Sequence, residues 1–171
     1  MTATAATTLT DGRWTVDPGS AVATFTVRNW GLLRVRGGVG VTAGTVTVAG
    51  GEPVSAAATL DAASVRTGIA RRDADLAGRH FFDCARHPTI AVRTTAVVPD
   101  GAGWRADAVL TVAGGDAPLV LHVVRLPDPA PGTVRVRATG VLDRRATPIR
   151  VPRAMVGRWI AVEVGAELRV G

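Results

Sequence analysis

The sequence predicts an all-β fold, an antiparallel barrel of eight strands with a short helix-and-loop insertion near residues 70–83. Three observations carry that expectation. Apolar and polar residues alternate with a period of two through most of the chain, which a half-buried strand requires and a helix cannot use. Turn signals rich in glycine, proline and aspartate separate these runs at short intervals. Glycine (20) and proline (10) are abundant for 171 residues, which suits many turns and few long helices.

The elements follow in order. A short opening strand is expected at Trp14–Val16. From Ser20 to Arg28, Ala21, Ala23, Phe25 and Val27 are apolar on one side, with Thr24, Thr26 and Arg28 on the other. Val39 to Val48 alternates but slips phase near Gly44, which predicts a bulge or tight turn. Val54, Ala56, Ala58 and Leu60 resume the period against Ser55, Thr59 and Asp61. Arg71 to Asp83 breaks it and reads as a short helix with a loop, exposing Asp73, Asp75 and Arg79 and turning Leu76, Phe81 and Phe82 inward.

Thr89–Val98 sets Ile90 and Val92 against Arg93 and Thr95, and Arg105–Val112 sets Ala106, Ala108, Leu110 and Val112 against Arg105, Asp107 and Thr111. Leu119–Leu126 is apolar on both faces apart from His122 and Arg125, so a covered outer face is expected there. Val134, Val136, Ala138 and Leu142 alternate with Thr133, Arg135, Arg137 and Thr139. Ile160 to Val170 closes the series with Glu163, Glu167 and Arg169 opposite the apolar side. Such strands with short connections fit a sandwich or an up-and-down barrel. Runs near ten residues, and an edge problem that closure removes, favour the barrel. Many inward positions are alanine or valine, with Gly140 among them. Small inward residues favour room for a ligand over a bore filled with side chains, although larger neighbours could fill it.

Length and composition set the class. One domain is expected, residues 13–171, preceded by a flexible tail over residues 1–12. Hydrophobic residues make up 47% and charged residues 20%, which supplies a core. The formal charge of +6 comes entirely from arginine, since the chain has no lysine. Those arginines are scattered along alternating segments without stacking aromatics beside them, so no nucleic-acid partner is expected. No apolar run is long enough for a spanning helix, which argues against an integral helical membrane protein. The single cysteine, Cys84, precludes an internal disulfide, and the first ten residues lack a basic opening with an apolar run. A cytoplasmic location is the expectation.

Chemistry-bearing patterns are sparse. His80, Cys84 and His87 cluster in sequence, but three ligands at irregular spacing make a poor zinc set, so no metal and no cofactor are expected. His122 reads as a satisfied or cavity-lining histidine. There is no nucleophile elbow and no phosphate loop, and Asp73 with Asp75 fits a solvated helix face. The arginine pairs Arg71-Arg72 and Arg144-Arg145 could hold an anionic head group at a barrel mouth, against the plainer reading of surface arginine.

A longer pattern is more specific. Gly12-Arg-Trp14-Thr-Val-Asp17-Pro-Gly-Ser20, then Phe25-Thr-Val27-Arg28 and Val35-Arg36-Gly37, resembles the opening of the YceI-like polyisoprenoid-binding family. The resemblance continues through Ala63-Ser64-Val65-Arg-Thr67-Gly68 and Arg72-Asp73-Ala-Asp-Leu76, and is strongest at Phe81-Phe82-Asp83-Cys-Ala-Arg-His-Pro88-Thr-Ile90. Leu110-Thr-Val-Ala-Gly114, Pro118-Leu-Val-Leu and Asp143-Arg144 extend it, so it spans about Trp14 to Val170. Two places depart: Val39 replaces a usual phenylalanine, and Arg145-Ala-Thr-Pro148-Ile-Arg replaces a Phe-Gly pair.

The resemblance implies a lipocalin-like, eight-stranded antiparallel barrel, often dimeric, that holds an isoprenoid or similar amphiphile inside; with no catalytic constellation in the residues, no enzyme activity is expected. The expected lining, from the inward positions of the strands, is Phe25, Val27, Leu60, Phe81, Phe82, Ile90, Leu110, Leu121, His122, Val136, Ile160 and Val162, with Trp30 capping one end and Arg71, Arg72 and Arg144 as head-group candidates. A homodimer is a partner to be tested. Rival readings are a barrel enzyme or pathway accessory acting on a small hydrophobic metabolite, a haem or metal barrel, and a filled barrel serving as an interaction module.

Overall fold

The computed structural model describes residues 8–152 and 155–171. Nine strands form one antiparallel sheet: β1 (Gly12–Val16), β2 (Val22–Asn29), β3 (Leu33–Ala49), β4 (Glu52–Arg66), β5 (Thr89–Asp100), β6 (Gly103–Val112), β7 (Gly115–Leu126), β8 (Thr133–Asp143) and β9 (Trp159–Val170). The sheet closes because β3 pairs with β4 and β2 with β9, so eight strands, β2 to β9, form the ring. β1 fills the gap beyond the start of β2, pairing Trp14 with both Val46 of β3 and Val170 of β9. The chain is an all-β closed barrel with one short helix, α1 (Ala70–Ala77), as the alternation predicts.

Side-chain parity holds around the ring. Ala23 and Val27, Leu60 and Ala62, Ala106 to Val112 by twos, Ala117 and Leu119, and Leu142 are buried, while their sequence neighbours face out. The slip near Gly44 is a register shift between Val41 and Ala43, with a second between Gly38 and Gly40. These bulges let the 17-residue β3 bend around the barrel and serve both β2 and β4. The β3–β4 hairpin turns on Gly50 and Gly51, both at positive φ (63° and 79°), where residues with a Cβ would be strained.

One expectation fails here. The outer face of β7 is uncovered: Val120 and Val124 stand 38% and 36% exposed. The helix among the described residues, α1, packs beside β4 instead.

Residues 1–7 of the expected tail lie outside the described residues. Leu9 donates its N–H to Gly51 O at 3.0 Å, and Asp11 accepts from Gly51 N at 2.7 Å, which ties residues 9–11 to the β3–β4 turn.

Candidate functional site

Strand direction assigns the connections to two ends. The β3–β4, β5–β6 and β7–β8 turns and both chain termini share one end. The β2–β3 hairpin, α1 with its following loop, the β6–β7 turn and the β8–β9 connection share the other.

The terminal end is shut. Trp14, Val48, Val134 and Leu168 form a buried cluster with Leu9, Val46 and Val136 against it. Both indoles there are satisfied at their polar tips, Trp14 Nε1 by Thr10 O at 2.9 Å and Trp104 Nε1 by Glu52 Oε2 at 2.5 Å. Within this end lies a cavity of about 90 Å³, entirely apolar, between Trp14, Trp104, Ala106, Val123, Val136 and Leu168.

The middle of the bore is apolar, with Leu121, Val162 and Val164 packed against the buried core cluster. Leu121, Val136, Ala138, Gly140, Val162 and Val164 all point inward, yet all keep partial accessibility. The cross-strand rows alternate large and small residues, and Leu119 and Leu121 fill the space beside Gly140. Gly37, Phe25, Val162, Gly140 and Leu121 lie side by side across five strands, so two of five positions carry no side chain. Phe25 folds its ring over Gly37, where a Cβ would come within 2.4 Å of it. That spends the largest inward ring of β2 on the wall rather than on the centre. The adjacent row sets Ala138 between Val164 and Val123.

The opposite end is covered by loops. Phe82 and Cys84, from the segment after α1, pack on the core beside Leu60, Ile90 and Leu110. Phe81 is half-buried in the same loop. The β8–β9 connection supplies buried Thr147 and Ile149. Here the sequence departs from the family pattern, and a 3-10 turn, Arg144–Ala146, opens the segment.

The inward placement of Phe25, Val27, Leu60, Ile90, Leu110, Leu121, Val136, Ile160 and Val162 agrees with strand parity. Three other residues are placed differently from expectation. His122 points outward, its side chain 60% exposed and its Nδ1 3.7 Å from Asp100 Oδ2, because Leu121 takes the inward position beside it. Trp30 does not cap the bore; it stands at the tip of the β2–β3 hairpin, 60% exposed. Arg144 is only 4% exposed and donates to three carbonyls, Gly157 O at 3.2 Å, Ile149 O at 3.4 Å and Val156 O at 3.3 Å. It clamps the β8–β9 connection and offers nothing to a head group.

Arg72 is also engaged, through Nε to Thr67 Oγ1 at 2.7 Å and Nη2 to Thr67 O at 2.9 Å, while Arg71 is exposed on α1. Asp73, expected on an exposed face, instead accepts from Thr67 N and Oγ1. Those bonds, the Thr67 hydroxyl foremost, hold its carboxyl below the usual range. Asp143 is likewise held low, first by the Arg158 guanidinium at 2.9 Å.

Among the described residues, no three His, Cys, Asp or Glu side chains converge as a metal set. Burial, and then the carboxylates of Asp61 and Asp83, push the Cys84 thiol up. Iodoacetamide at pH 8 should therefore alkylate Cys84 several-fold more slowly than free cysteine, read by mass spectrometry of timed samples.

A larger concavity, about 630 Å³, lies outside the barrel. It crosses the waist of β3, β2, β9, β8 and β7, where Thr24, Thr26, Arg36, His122, Thr139 and Glu163 share the lining with Val120, Val141, Ala161 and Val162. It is open to water, so an apolar guest gains less there than within the bore. Sequence reasoning missed it because it arises from the curvature of the wall, not from any motif.

Comparison with known proteins places this architecture. A family model, the YceI-like domain, matches residues 14–168. No curated protein sequence shows a significant match. Among solved structures, the chain is similar to BcnA of Burkholderia cenocepacia, at 17% identity and TM-score 0.76, covering 89% of this chain and 98% of that one. It is similar to a polyisoprenoid binding domain from Saccharophagus degradans at 16% identity and TM-score 0.65, covering 92% and 98%. The Campylobacter jejuni YCEI protein matches at 19% identity and TM-score 0.63, covering 70% and 74%. At these identities the structures speak for the fold.

Proposed function

The chain belongs to the YceI-like domain family, and from that premise we propose that it binds and carries a long apolar amphiphile, isoprenoid-like in its tail, inside the barrel. The observation that carries this reading is the apolar wall of the bore, built of inward alanines, valines and glycines, with a wholly apolar cavity at its terminal end. A relative in fold is a polyisoprenoid binding domain, which supports the ligand class. The protein performs no chemistry on its guest; its role is to keep the tail from water.

The energetics suit that role. Each buried methylene contributes about 0.8 kcal/mol, so a chain of several prenyl units offsets its ordering cost. The 90 Å³ cavity alone takes about three water-sized groups at ~30 Å³ each. A longer tail would run from it between β7, β8 and β9 by displacing half-buried side chains there, in a wall about 34 Å long for ten residues before tilt. The head group then lies toward the loop-covered end, near exposed Arg71. We place this carrier in the cytoplasm, where its one free thiol needs no oxidising compartment, as a monomer or a homodimer.

Native mass spectrometry and solvent extraction of the purified protein test the proposal. Near-stoichiometric recovery of a lipid with a long apolar tail is expected. Clean protein that also fails to take up an added long-chain prenol overturns it. An absorbing or metal-bearing preparation would favour the haem or metal barrel instead.

A further inference from the structure

The loop-covered end carries a surface that the guest does not explain. The β2–β3 hairpin projects Trp30, Leu32 and Leu33 into solvent at 60%, 90% and 63% exposure. Trp159 stands beside it at 56%, because Gly157 N, two residues earlier, donates to Arg28 O at 2.8 Å.

Turn chemistry does not require these residues. Trp30 occupies the left-handed region, φ 53°, directly before Gly31 at φ 71°. Glycine or asparagine would hold that position without strain, so a bulky exposed indole there is costly to the isolated fold.

The charges flanking the tip are equally uncompensated. Arg28 and Arg34 are cross-strand partners on the outer face, an arrangement that repels. Among the described residues neither side chain has a hydrogen bond or ion pair. No aspartate or glutamate occurs between Asp17 and Glu52, or between Asp143 and Glu163, the two stretches that meet at this rim. Trp159 in turn carries the Arg158 guanidinium 4.4 Å from its ring centroid.

An apolar tip that ends in indoles and is flanked by two unpaired arginines, Arg28 and Arg34, matches one environment. Indoles partition to the boundary between head groups and acyl chains, and arginine stems lie along apolar surface while their heads reach phosphates. We propose that this rim docks on an anionic lipid bilayer, with Trp30, Leu32 and Leu33 entering the interfacial layer and Arg28 and Arg34 pairing with phosphate head groups. Docking would bring the loop-covered end of the bore against the membrane. The inference goes beyond the carrier reading and stands whether or not a guest is ever recovered.

Co-sedimentation with vesicles tests it, using phosphatidylcholine with about a third phosphatidylglycerol against phosphatidylcholine alone at low salt. The wild-type protein should bind the anionic vesicles at least about tenfold better. L32E and the pair R28Q/R34Q should each lose about tenfold, while R137Q/R169Q, the same charge loss on the outer wall away from this rim, should lose far less. Independently of any variant, brominated acyl chains in those vesicles should quench part of the tryptophan emission. Trp30 and Trp159 lie at this rim, and Trp14 and Trp104 at the far end.

Three results would overturn the proposal. One is no preference for anionic vesicles. A second is equal losses in all the arginine pairs, which would mean general attraction to a basic protein. The third is absent quenching together with a dimer that L32E dissociates in sedimentation equilibrium, which would assign the tip to a second copy.

Discussion

Ala138→Phe should strip the barrel of its guest, and Ala161→Phe should leave it bound. Ala138 points into the bore from β8, between Val164 of β9 and Val123 of β7. A phenyl ring there blocks the proposed path of the tail, displacing three or four of its methylenes. At about 0.8 kcal/mol each the loss is about 3 kcal/mol, or roughly a hundredfold in affinity. Ala161, two residues before Glu163 on β9, faces the other way and lines the external groove.

The pair therefore separates the bore from the external groove. Lipid retained by A161F and lost by A138F places the guest inside. The reverse places it in the groove and ends the bore as a site. Overpacking costs of about 1–3 kcal/mol make a thermal melt of A138F a necessary companion measurement. A cooperative transition with unchanged far-UV circular dichroism shows that the binding loss is not an unfolding.

Most of the barrel was legible because period-two alternation is a direct consequence of pleating, and eight of its runs lie in this sequence almost uninterrupted. Even the slip at Gly44 marked a real register shift. Legibility failed where the pattern loses phase. β7 is apolar on both faces, so the sequence does not say whether Leu119 and Leu121 or Val120 and His122 face in. Parity nonetheless forbids Leu121 and His122 from sharing one side, and applying it strictly would have excluded the histidine.

The site was less readable than the fold for a related reason. Gly140 was legible as a small inward position, but Gly37, which makes room for the Phe25 ring, was not, because a missing side chain has no motif. Phe25 shows the converse, since its bulk suggests a lining contact but is spent covering Gly37. The hairpin tip was read as a cap because a tryptophan beside a turn near the barrel end suits one. Its exposure follows from backbone geometry that only the structure shows.

Arg144 gives the second large effect. Its neighbours in sequence are charged, and its type is the one most often solvated, so an Arg-Arg pair reads as surface. The structure instead buries it at 4% exposure and turns its guanidinium to carbonyls 5, 12 and 13 residues downstream. Its own backbone closes the same loop, since Arg144 N donates to Arg158 O at 2.8 Å and Thr147 Oγ1 donates to Arg144 O at 2.6 Å.

Arg144→Ala removes the cation and leaves three inward-turned carbonyls to find water or go without. Hydrogen bonds to charged groups are each worth about 1.5–3 kcal/mol, partly recovered here by hydration of the freed oxygens. A net destabilisation of about 3 kcal/mol is expected, read as a lower urea midpoint with an unchanged slope. Lysine should not rescue it, because a single ammonium does not reproduce the planar fork that reaches Ile149, Val156 and Gly157 together. Hydrogen exchange locates the damage: amides of 156–158 should lose protection while those of β6 and β7 keep it. Uniform loss across the barrel would show that this connection is integral to the core, and no loss would show that the clamp is dispensable.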